Sequence, residues 1–76
     1  MDKRVQEIAN IIEYIREKYI PIMPIREKAF FTSDFIDLDI MVNTKFKTFP
    51  EQDEEISSIL GYVKDILERC KNDFGK

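Results

Sequence analysis

The chain contains no histidine, so the commonest general base and metal ligand is missing. A single cysteine, Cys70, rules out an internal disulfide and leaves no Cys/His set for zinc. Gly61 and Gly75 are the only glycines, so no glycine-rich phosphate loop can form. No apolar run approaches the ~20 residues that span a bilayer. Residues 1–20 are rich in charge, and no signal peptide is expected. Asp37 and Asp39 lack the remaining ligands and the central glycine of a calcium loop. On an exposed element nothing apolar would raise either carboxyl toward acid–base work. Cys70 lies on an apolar helical stripe and reads as a buried core thiol. These absences predict a cytoplasmic, non-enzymatic protein without metal or cofactor.

The chain has 76 residues with 43% hydrophobic content, enough for one domain, residues 1–76. A core this small is marginal for a monomer, which makes a homodimer physically attractive.

Residues 3–20 predict a helix. Val5, Ile8, Ile12, Ile15 and Tyr19 recur at three- and four-residue intervals, Asp2 can cap the start, and Pro21 stops it. Residues 21–25 predict an extended connector anchored by Ile22 and Ile25. Residues 27–32 predict a short strand, followed by a Thr32-Ser33-Asp34 turn. Residues 35–42 alternate as a strand does, with Ile36, Leu38, Ile40 and Val42 on a buried face and Phe35, Asp37, Asp39 and Met41 on the other. A loop at Asn43–Lys45 leads to a strand at residues 45–49, in a register pairing Val42 with Phe46. Residues 50–73 predict a second helix, opened by the capping-box spacing of Thr48 and Glu51. Its stripe contains Ile56, Ile59, Leu60, Val63, Leu67, Cys70 and Phe74, reinforced by Ile66. Ser57 and Gly61 would allow another backbone to approach closely. The predicted fold class is therefore α+β: helix, two- or three-stranded antiparallel sheet, helix, with both helices on one sheet face.

Charge is unevenly placed. Residues 34–55 hold seven acids against two bases, a local charge of −5, while the remainder carries eight acids and ten bases, +2. The acids are Asp34, Asp37, Asp39, Glu51, Asp53, Glu54 and Glu55. One reading is structural: acids at the start of the second helix suit its dipole, and Asp37 and Asp39 keep the outer sheet face soluble. The functional reading is that alternate strand residues, about 6.8 Å apart, present carboxylates at nearly the spacing of phosphates along one nucleic-acid strand. The acidic excess also speaks against direct nucleic-acid binding.

In size, acidity, lack of catalytic residues and predicted α+β outline, the chain resembles the small acidic phage proteins that mimic DNA, including those that block a host nucleoid protein of the HU type. That resemblance implies a non-enzymatic inhibitor whose partner is a basic DNA-binding protein, contacted by the seven acids. The alternative is an adaptor or antitoxin-like module that docks through exposed apolar residues such as Phe35, Met41 and Phe49. The same three residues, left over on the outer sheet face, would serve a homodimer.

Overall fold

The computed structural model describes residues 3–46 and 53–75, and among them no strand occurs. The fold is all-α. Helix α1 spans Lys3–Lys18, a 3-10 turn follows at Ile20–Ile22, α2 spans Ile25–Ile40 and runs on into a π-helical turn at Met41–Lys45, and α3 spans Asp53–Phe74. The predicted α+β fold with its antiparallel sheet is overturned.

The two terminal helices follow their apolar period. Val5, Ile8, Ile12 and Ile15 of α1 are buried, with Tyr19 just beyond its end. On α3 the buried positions are Ile56, Val63, Ile66 and Cys70. The two helices run parallel: Arg4 reaches Asp53 and Ser57 at the start of α3, and Glu7 reaches Lys64 farther along. Helix α2 runs antiparallel to α3: Arg26 lies beside Asp73, Asp34 reaches Tyr62, and Lys45 just beyond its end reaches Glu55.

Proline ends α1 as expected, but the connector is not extended. The amides of Ile22 and Met23 close a tight turn onto the carbonyls of Tyr19 and Ile20 at 3.1 and 3.2 Å. Pro24, with ψ of 152°, then redirects the chain into α2. The buried anchor of this connector is Met23, whereas Ile22 and Ile25 are exposed.

The sheet prediction fails at α2. Phe31, Phe35, Leu38, Val42 and Phe46 fall at intervals of four, three, four and four, a helical stripe that fits the groove left by α1 and α3. Phe35 is 0% exposed, while Ile36 and Ile40, predicted to be core, are 52% and 56% exposed. The period-two alternation is real in the sequence. It arises because α2 is apolar on two faces, and the face that supplies the larger aromatic side chains wins the core. Thr32, Ser33 and Asp34 continue the helix instead of turning it.

The Asn43-Thr44 pair also makes no hairpin. Both residues sit in the π turn, where Asn43 Nδ2 donates to the Asp39 carbonyl at 2.9 Å and Thr44 Oγ1 donates to the Ile40 carbonyl. Side chains that bond the carbonyl four residues back compete with the helical ladder and favour a widened turn. The wider turn holds Leu38, Val42 and Phe46 on one face despite their four-residue spacing. Of the predicted 45–49 strand, Lys45 and Phe46 are helical. The rest of that strand, the Asp2 cap and the Thr48/Glu51 capping box lie outside the described residues.

All described buried residues belong to one core, and none of them is polar or charged. The close approach expected at Gly61 is not used: a Cβ there would meet nothing within 4 Å. Gly61→Ala should therefore stabilise the protein by about 1 kcal/mol, through helix propensity alone. By contrast, Phe35→Ala should cost about 3–5 kcal/mol and Ile36→Ala less than about 1 kcal/mol. Urea denaturation of the three variants checks both statements, and a larger loss at Ile36 than at Phe35 would contradict the rotation of α2.

Candidate interaction surface

Helical geometry disperses the acidic row. Residues two apart on a helix do not face each other, so Asp37 and Asp39 point in different directions. Asp39 turns toward α1, where Arg16 Nη2 meets its Oδ2 at 2.5 Å. Asp34 turns toward α3 and accepts a 2.8 Å hydrogen bond from Tyr62 Oη. Asp53 pairs with Arg4 and Glu55 with Lys45, the latter at 2.9 Å. Asp37 and Glu54 are exposed, with no ion pair among the described residues. Glu51 lies outside the described residues. The predicted strand row of phosphate-like spacing therefore does not form. Four of its seven carboxylates instead join α2 or α3 to another part of the bundle, each at a partly exposed site where a pair contributes only about 0–1 kcal/mol.

The sequence did not single out the apolar surface that the fold leaves open. Ile25 (83% exposed), Phe30 (59%), Ile36 and Ile40 all stand on α2. Helices α1 and α3 have no comparable face: the large apolar side chains exposed on them are Tyr14 and Tyr62, each carrying a hydroxyl. The docking residues predicted earlier fare differently. Phe35 is fully buried, Met41 is half-buried against the core, and Phe49 lies outside the described residues. A usable signal was present, since assigning Phe31, Phe35, Leu38, Val42 and Phe46 to one helical face leaves Ile25, Ile36 and Ile40 over.

Beside Phe30, a groove separates the first half of α2 from the second half of α3. One part, about 360 Å³, is floored by Phe31, Cys70 and Phe74 and rimmed by Arg26 and Arg69. A second part, about 290 Å³, continues past Phe30 and Arg69 to Tyr62 and Ile66. Burial pushes the Cys70 thiol above its ordinary range, and Asp73 and Glu27 add to the shift. The thiol stays protonated and behaves as a small apolar group. No group of three or more metal-ligating side chains clusters among the described residues, and none of the described helices is long and apolar enough to cross a membrane.

Tyr62 spans the groove to reach Asp34. Its phenol is raised above the ordinary tyrosine range, first by burial and then by its hydrogen bond to the Asp34 carboxylate. A raised phenol pKa means that the contact stabilises the fold below the ordinary tyrosine pKa and is lost as pH climbs through the folded value. Asp34→Asn should lower the Tyr62 pKa while burial keeps it above that of a free tyrosine. A 13C NMR titration of the tyrosine ring carbons reads this directly, and an unchanged Tyr62 titration would show that the bridge is absent in solution. Comparison with protein-family models, curated proteins and solved structures finds no match to this chain.

Proposed function

We propose that the protein is a non-enzymatic interaction module that docks an apolar helical partner on the outer face of α2. One observation carries this reading: Ile25, Ile36 and Ile40, on one face of a single helix, are more than half exposed, while the other described helices, α1 and α3, cover their outer faces with polar groups. Full burial of an isoleucine stabilises by about 1.5–3 kcal/mol, so covering the three isoleucines of α2 that remain half or more exposed contributes a few kcal/mol. Unpartnered apolar surface of this kind marks interaction sites. Action in the cytoplasm is part of the proposal, because a lone buried thiol suits a reducing compartment.

The local charge of −5 in residues 34–55 favours a competing proposal, inhibition of a basic HU-type DNA-binding protein by a DNA-like acidic surface. That proposal requires Asp34, Asp39, Asp53 and Glu55 to give up or share partners they already hold. The two proposals separate by position and by salt, since a charge-led complex weakens steeply as salt rises and an apolar one does not.

A photo-crosslinking side chain placed at Ile36 should give a discrete adduct in cells, retained in high salt. The same group at Glu68, on the charged outer face of α3, should give none. Adducts only at Glu54 that disappear with salt would favour the acidic surface. Equal labelling at Ile36 and Glu68 would sink the docking reading.

A further inference from the structure

The outer face of α2 is segregated in charge as well as apolar. Arg26 and Lys28 lie in its first half, Asp37 and Asp39 in its second. Between them run Ile25, Ala29, Ile36 and Ile40, with Thr32 and Ser33 at the midpoint. At 3.6 residues per turn, Arg26 and Asp37 fall along one border of this apolar stripe, and Lys28 and Asp39 along the other.

We propose that this face binds a second copy of the same chain, α2 against α2 in antiparallel orientation, about a two-fold axis passing between Thr32 and Ser33. The proposal rests on the docking reading above and names its partner. Such an axis sets Ile25 against the second copy's Ile40 and Ala29 against its Ile36, while the small Thr32 and Ser33 side chains allow the helices to approach at the crossing. It keeps each border against itself, so Arg26 meets the second copy's Asp37 with an axial offset of about 3 Å. Lys28 meets Asp39 in the same way on the other border. A parallel pairing, about an axis along the helices, would bring opposite borders together and set Arg26 against the second copy's Lys28 and Asp37 against its Asp39, so the charge pattern selects the antiparallel one.

Arg26 and Asp37 are the discriminating pair. Both are exposed, and neither makes an ion pair within the chain among the described residues. Asp39 is already held by Arg16 and adds to the border without depending on it. A contact along one 16-residue helix is small, so self-association belongs to the weak, transient class.

Sedimentation velocity from about 10 µM to about 1 mM brackets the expected dissociation constant. Arg26→Asp and Asp37→Arg should each weaken self-association roughly tenfold, because each places like charges opposite one another twice per dimer. An equimolar mixture of the two variants should pair one-to-one at least as tightly as the wild type, since every border contact is then attractive. Ile36→Asp should abolish association, with circular dichroism confirming that all variants keep the fold. A wild type that is monomeric throughout, or a mixture that associates no better than its components, would overturn the proposal. If the Ile36 crosslinker then still gave an adduct with a different protein, the docking reading would stand and only its partner would be wrong. Loss of every adduct at Ile36 would end both.

Discussion

The burial of Phe35 between α1 and α3 fixes the rotation of α2, and most of the molecule's surface follows from that rotation. With Phe35 at the centre of its inward face, Phe31, Leu38, Val42 and Phe46 share the core. Asp39 is carried toward Arg16 on one side and Asp34 toward Tyr62 on the other. Ile25, Ile36 and Ile40 have nowhere to go but outward. A rotation that buried Ile36 would expose Phe35, a larger apolar loss, and would detach both polar contacts. The exposed isoleucines are thus a consequence of a better-packed alternative face, on a helix that could have carried polar residues there.

The terminal helices were legible because each has a single apolar stripe at an unambiguous period. Val5, Ile8, Ile12 and Ile15 fit only a helix, and the stripe from Ile56 to Cys70 fits only a longer one. Cys70 was legible as a core thiol for the same reason. Helix α2 was not, because two stripes overlap in it. Read in steps of two, residues 35–42 give a strand with Asp37 and Asp39 outside. Read in steps of three and four, residues 31–46 give the observed helix. Isoleucine, valine and threonine lean toward strands, and that local preference supports the wrong period. What decides is tertiary: a core already lined by two parallel helices accepts a third helix far more readily than a short sheet with an unpaired edge. The candidate site was misread by the same step, since Ile36 and Ile40 were assigned to the core and Phe35 to the surface.

Charge plays a different part from the one its clustering along the sequence suggested. Asp34, Asp39, Asp53 and Glu55 bridge elements of the bundle and help to fix how those elements meet, although each such pair adds little stability. Asp37 keeps its charge facing solvent at the border of the apolar stripe, opposite in sign to Arg26 at the other end of the same helix. Charge at the rim of an apolar patch selects partner and orientation more than it adds affinity, which is how an exposed face on a small bundle can be specific instead of merely adhesive.

The most direct measurement of the rotation of α2 is solvent exposure of its isoleucine methyls, read by NMR with a soluble paramagnetic agent at a protein concentration too low for self-association. The methyls of Ile25, Ile36 and Ile40 should broaden strongly, while those of Ile8, Ile12, Ile15 and Ile56 stay sharp. Ile36 and Ile40 as protected as Ile12 would contradict the inward placement of Phe35 and, with it, the open face on which the proposed function depends.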